Sequence, residues 1–231
     1  MPGSAASSAY TSLYTVDGPE FATLQRSQYV IPDRIIGSIN WTNRTQSGFD
    51  THVSLMYEGY SSNGYSFLYD ADINGDGSAY DLIYIPNTPD ELQWASVDDM
   101  QNFWNFVQQD PYLRSHKGQY AEAYAARAPW VHHFDLRIAQ DFQFKIGNSV
   151  NKFQLSVDFL NFNNLFNSKW GVPSILDCNS GKILHCTNAE SISSTVAPIY
   201  SFSGNSDHTY RLSSSIYNTW QLQIGLRYMF N

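Results

Sequence analysis

The chain has 231 residues, a formal charge of −8 and no cluster of Lys and Arg, which excludes a surface built to hold nucleic acid or anionic lipid. No run of about 18 apolar residues occurs, so a membrane-spanning helix is excluded, although spanning strands need only about ten alternating residues each. Charged residues make up 15% and aromatic residues 16%, a mixture that suits strands apolar on one face and polar on the other.

The opening MPGSAASSAYTSLY has no positive n-region and no apolar h-region, so either a signal was removed or the chain is a downstream piece of a longer precursor, the reading that the strand count favours. A first strand is expected near Ala9 to Val16. Ile35, Gly37, Ile39 and Trp41 then alternate with Arg34, Ser38 and Asn40. After a short turn at Asn43 to Ser47, Phe49, Val53, Leu55 and Tyr57 alternate with Asp50, His52, Ser54 and Glu58. Period two identifies both as half-apolar strands.

Asp70 to Pro129 is a very long connection. Within it Asp72, Asn74, Asp76, Gly77 and Ser78 copy the opening of a calcium loop, where oxygen ligands alternate and Gly permits a sharp turn. Ile83 stands at the twelfth position, where an EF-hand has its bidentate Glu, and Asp81 comes two residues early, so a plain Asn/Asp/Gly turn is the alternative. Asp98 and Asp99 followed by Met100, Phe103, Trp104, Phe106 and Val107 predict one short amphipathic helix with acidic residues in its first turn. Trp104 is a candidate ligand-contacting aromatic.

Phe134, Leu136, Ile138, Phe142 and Phe144 next alternate with His133, Asp135, Arg137, Ala139 and Asp141. His132, His133, Asp135 and Asp141 invite comparison with barrel enzymes that activate water between His and Asp. His133, Asp135 and Asp141 share one strand face with no identified partner, however, and there is no GxSxG, HExxH, paired CxxC or phosphate loop. No catalytic role is expected. A turn at Lys145 to Ser149 leads to Phe153, Leu155, Val157 and Phe159, alternating with Gln154, Ser156 and Asp158.

Leu165 to Ser215 is again very long. Cys178 and Cys186 enclose a short polar loop there; a disulfide would contribute roughly 2.5 kcal/mol, and two free thiols are the alternative. The last strand places Trp220, Leu222, Ile224, Leu226, Tyr228 and Phe230 against Gln221, Gln223, Gly225, Arg227 and Met229. Its apolar residues suit a lipid-facing surface with aromatics at both interfaces. Glu58, Asp135, Arg137, Asp158 and Arg227 are expected on the opposite, lumen-facing side as a cross-strand charge ladder.

Short turns alternating with very long connections suit an outer-membrane barrel. The expected fold is therefore all-β: an antiparallel transmembrane β-barrel segment of about six strands, with long external loops and one short helix. Six strands cannot close, since about eight is the smallest workable number, so upstream strands are required.

Asp72-Ile-Asn-Gly-Asp-Gly77, Asp81-Leu-Ile-Tyr-Ile-Pro86, Tyr112-Leu-Arg-Ser-His-Lys-Gly-Gln-Tyr120, Ala126-Arg-Ala-Pro-Trp130, Phe134-Asp-Leu-Arg137, Asp158-Phe-Leu-Asn-Phe162 and Trp220-Gln-Leu-Gln-Ile-Gly-Leu-Arg-Tyr228 follow in order. Together they resemble the end of TonB-dependent outer-membrane receptors, particularly Oar-like barrels that carry a carboxypeptidase-regulatory-like domain. The resemblance covers about residues 30 to 231. It implies a 22-stranded barrel with a plug, ligand uptake energised through TonB, and assembly by the barrel-assembly machinery. Residues 1–231 would then be the C-terminal portion of such a barrel in the bacterial cell outer membrane. The plug and N-terminal domains are absent from this sequence. Its partners would be lipid, the plug and the upstream strands, with no cofactor beyond the calcium considered above. In that family the final residue is commonly aromatic; here Phe230 is penultimate and Asn231 follows.

Two other readings fit the alternation. One is a complete small outer-membrane barrel, a passive pore or structural protein, with a further hairpin from Ile192 to Phe202 and Tyr210 to Ile216. The other is a secreted soluble sugar-binding β-sandwich using loop aromatics.

Overall fold

A computed structural model of the chain describes residues 10, 12–178, 180–192 and 195–230. The fold is mostly β-sheet with few helices. The strands in chain order are β1 (Arg34–Asn43), β2 (Thr51–Tyr60), β3 (Gly64–Tyr65), β4 (Leu68–Tyr69), β5 (Tyr84–Ile85), β6 (Gln93–Trp94), β7 (Gln119–Tyr120) and β8 (Ala126–Arg127). They continue as β9 (Val131–Ile146), β10 (Ser149–Leu160), β11 (Ser174–Leu176), β12 (Lys182–Cys186), β13 (Ile199–Phe202), β14 (Tyr210–Leu212) and β15 (Gln221–Phe230). Among the described residues the longer helices are α1 (Val97–Gln109) and α2 (Pro111–Ser115). The chain forms two compact units: Ile31–Ser62 with Pro129–Ser174 and Leu212–Asn231, and Met1–Val30 with Asn63–Ala128 and Ile175–Arg211.

The first of these is the sheet unit, with strand order β1-β2-β9-β10-β15, antiparallel throughout. Five of the six expected long strands are present. The two-residue loop between β9 and β10 begins with Gly147 at φ 62°, a positive φ that glycine adopts without the Cβ penalty of other residues. The β1–β2 connection runs beside β9, where Asp50 O accepts from Asp141 N at 2.8 Å and Gly48 O from Gln143 N at 2.9 Å. Both turns lie at the same end of the sheet, and the long connections leave from the other end. Among the described residues β1 and β15 are each paired along one side only, and the five strands do not close into a barrel.

The sixth expected strand does not form. Ala9 and Thr11 lie outside the described residues, and the rest of that segment makes one isolated parallel bridge, Thr15 to Asp81. Its backbone bonds go to the other unit's own chain, Thr15 N to Tyr80 O at 3.3 Å and Leu82 N to Thr15 O at 2.8 Å.

The second unit, built largely from the long connections, has a core of its own. Its main sheet runs β4-β12-β13-β6, with β12 and β13 antiparallel and the outer pairs parallel. Phe67, Ile83, Ile85, Phe103, Phe106, Val107, Leu113, Ile183 and Leu184 are fully buried in one cluster. The apolar face of α1 supplies Phe103 and Phe106, which meet Phe202 at ring-centroid distances of 5.9 and 5.4 Å. Helix α1 covers the expected short helix and starts where Ser96 Oγ accepts from Asp99 N at 3.1 Å, satisfying a backbone donor with no partner inside the helix. It stops at Asp110, whose carboxylate caps α2 through Leu113 N at 2.9 Å and also accepts from Thr209 Oγ1 at 2.7 Å.

The extra hairpin of the small-barrel reading is not formed. β13 pairs with β12 and β6, and β14 is not its neighbour; Ser193 and Ser194 of that segment lie outside the described residues. The expected disulfide is not formed either: Cys178 and Cys186 are free thiols. Cys186 is buried in β12 and its thiol donates to Asn188 Oδ1 at 3.3 Å, so strand pairing, not a sulfur bridge, organises this loop. Burial pushes the Cys178 thiol up to about 11, keeping it protonated and unreactive at neutral pH. Thiol titration with a chromogenic disulfide reagent should therefore find almost no fast-reacting sulfur in the folded chain and two in denaturant; none in denaturant would establish a bridge.

Candidate functional site

Strand register decides which side chains share a surface, because residues directly opposite across an antiparallel pair lie on the same face. Trp41, Val53, Ile138, Val157 and Ile224 form one continuous row across the five strands, and Ile39, Leu55, Leu136, Phe159 and Leu222 form the next. A third row runs Asn43, Thr51, Gln140, Leu155, Leu226. Its two central polar groups bond each other, Thr51 Oγ1 donating to Gln140 Oε1 at 2.6 Å.

Aromatic residues border this aliphatic band at both ends. On the turn side Phe49 meets Phe142 (5.7 Å), Phe144 meets Phe153 (5.7 Å), Phe153 meets Tyr228 (4.7 Å) and Tyr228 meets Phe230 (5.7 Å). At the other end Tyr57 packs on Phe134 at 4.9 Å, near the row position of Trp220. From Trp220 to Tyr228 the strand advances about 27 Å at a rise of about 3.4 Å per residue.

This face is uncovered. Ile224 is 67% and Leu226 73% exposed, and Trp220, Leu222, Tyr228, Phe230 and Leu155 are exposed as well. The set expected to face lipid therefore lies on a single open surface. Leu136 is half-buried within it.

The opposite face is polar. Its rows are Asn40, Ser54, Arg137, Asp158, Gln223 and Thr42, His52, Ala139, Ser156, Gly225. Of the expected ladder, Arg137 and Asp158 pair at 3.2 Å, whereas Glu58 pairs with Arg34 at 2.6 Å. Asp135 accepts from the backbone N of Asn161 at 2.8 Å. Arg227 has no ion pair among the described residues; it lines a shallow cleft of about 240 Å³ with Arg137, Asp158, Gln154 and Ser156. Gly225 shapes that cleft, since a Cβ there would stand 2.7 Å from Ser156 Oγ.

The strongest polar centre of this face was not assembled from the sequence. Asp141, 1% exposed, accepts from Gln154 Nε2 at 2.7 Å and pairs with Lys152 and, at 3.0 Å, with His52 Nε2. The His52 Nδ1 lies 3.2 Å from Thr42 Oγ1. These groups come from four strand stretches, and only the register brings them together; period two placed His52, Asp141 and Gln154 on the polar side but gave no pairing. His133 Nε2 lies 2.7 Å from Gly171 O and His132 Nδ1 lies 2.8 Å from Tyr57 OH. The four residues compared with a water-activating set thus have four different sets of partners.

In the second unit the Asp72 loop is closed by its own amides. Asp72 accepts from Gly75 N (2.7 Å) and Gly77 N (2.8 Å), Asn74 Oδ1 from Asp76 N (2.9 Å), and Asp76 Oδ1 from Ser78 N (2.7 Å). Asp81 is buried beside it and accepts from Ile73 N at 2.7 Å. Burial, aided by the charges of Asp76 and Asp72, pushes its carboxyl up to about 6 against the pull of the Ile73 N–H. Among the described residues no three His, Cys, Asp or Glu groups are arranged to hold a metal ion. Trp104 is half-buried, with Lys117 Nζ 4.3 Å from its ring centroid.

Compared with models of protein families, with curated proteins and with solved structures, the chain matches none.

Proposed function

We propose that this chain is part of a transmembrane β-barrel of the outer membrane, the C-terminal barrel portion of a TonB-dependent receptor of the Oar-like type that takes up a ligand. The observation that carries this reading is the five-strand apolar face, aliphatic in the middle, aromatic at both rims and open along its whole length. In water such a patch is a liability far larger than monomeric soluble proteins ordinarily carry. Against acyl chains it is the favourable arrangement, and its extent along the strand is comparable to the roughly 25 Å apolar band of outer-membrane barrels.

The polar face then lines a lumen. Ion pairs such as Arg137–Asp158 satisfy one another there, and Arg227 is left to meet the carboxylate or carbonyl of a plug. The segments feeding the second unit leave the sheet opposite the short turns, the side on which such barrels carry their external loops. Ligand selection would belong to that unit and to the plug.

The chain expressed by itself should stay soluble only with detergent or lipid. Size-exclusion chromatography with light scattering in plain buffer should return aggregates; a monodisperse monomer there would overturn the membrane reading and favour a soluble sheet protein.

A further inference from the structure

A cavity of about 280 Å³ in the non-sheet unit opens beside Tyr29 and is lined by Tyr14, Tyr65, Tyr124, Gln28 and Asn63. Ser66 and Ser180 complete its polar wall, and none of the lining side chains carries a formal charge. We infer that this cavity binds a neutral pyranose sugar.

Backbone geometry marks the place. Among the described residues only three non-glycine residues have positive φ, and two of them, Tyr124 (54°) and Ser180 (52°), line this cavity. Such conformations cost free energy and persist where surrounding structure imposes them, often at ligand clamps. Here the imposition is visible. Tyr124 N donates to Ser66 Oγ at 2.7 Å, and Gly64 lies so close that a Cβ would stand 2.2 Å from Tyr124 O. The Tyr124 ring is then held by Tyr14, stacked at 4.8 Å, with Tyr80 beyond it at 5.4 Å.

The chemistry selects the ligand class. A pyranose presents a patch of C–H groups, which gains by covering an aromatic face, inside a rim of hydroxyls that must each find a partner. Tyr29 is 78% exposed and among the described residues stacks on no other ring, so its face can serve as the platform. The side-chain amides of Gln28 and Asn63 make no hydrogen bond among the described residues, leaving donors and acceptors for hydroxyls. An anionic or cationic ligand would find no counter-charge in the wall. This inference does not rest on the membrane reading, because every residue it uses lies in the other unit.

The test is saturation-transfer NMR on the full chain in an amine-oxide detergent, which contains no sugar. Methyl α-mannopyranoside, glucose, galactose and N-acetylglucosamine serve as probes, with adenosine as a neutral aromatic comparison. At least one pyranose should receive saturation. Its affinity should fall roughly three- to tenfold in Tyr29→Ala, the loss of one stacking platform, and fall also in Asn63→Ala. Both residues are exposed, so folding is preserved, and Phe21→Ala, an exposed aromatic outside the cavity wall, should bind as the parent does. No transfer to any of the four sugars, transfer indifferent to both variants, or transfer to adenosine alone would each overturn the assignment.

Discussion

Replacing Ile224 with arginine should destabilise the chain in lipid vesicles by about 2–4 kcal/mol, the penalty for a cation at the middle of a barrel's lipid face. Ile224 lies midway along its strand between Trp220 and Tyr228, at the edge-strand end of the row Trp41, Val53, Ile138, Val157, Ile224, and is 67% exposed. At an exposed strand position in water the same change would stay within about 0.5 kcal/mol, so the size of the effect separates a hydrocarbon surround from an aqueous one. Gln223→Arg is the matched control. It points to the polar face directly opposite Asp158, where a cation is tolerated. Urea titrations followed by tryptophan fluorescence, run on both variants in the same vesicles, give the comparison; equal and small effects would place the face in water.

Truncating Phe106 to alanine should cost about 3–5 kcal/mol of the second unit's stability, the range for removing a fully buried ring. Phe106 is 1% exposed, edge-on to Phe67 at 5.9 Å and against Phe202 at 5.4 Å. Were residues 63–128 and 175–211 unstructured loops, the substitution would change nothing. Limited proteolysis in detergent should show new cleavage confined to those two segments, while the sheet stays protected.

The long strands were legible because their pattern is local: period two over ten or more residues survives any ignorance of what lies across the sheet. Helix α1 was legible for a similar reason, as Phe103, Phe106 and Val107 fall on one helical face behind Asp98 and Asp99. The rest of the second unit was not. Its strands are two to five residues long, too short to display a period. Its core gathers Phe67, Ile183, Phe106 and Phe202 across large sequence separations, which no local pattern records. The Cys178–Cys186 spacing suggested a bridge because spacing carries no information on where each thiol points. Thr15 falls in the first strand expected near Ala9 to Val16, yet its backbone bridges to Asp81, a choice made by tertiary pairing. Asp141 shows the same limit within the sheet: its face followed from alternation, its partners only from register.

The order β1-β2-β9-β10-β15 has a parity. Successive strands alternate in direction, so the first and fifth run the same way, and joining them would create one parallel seam. Copies arranged about an axis running along the strands meet the same obstacle, since rotation about that axis leaves every strand's sense unchanged. A ring antiparallel at every junction can be finished only by inserting an odd number of further strands between these two margins. Whatever supplied them would also dictate the circumference of the closed ring.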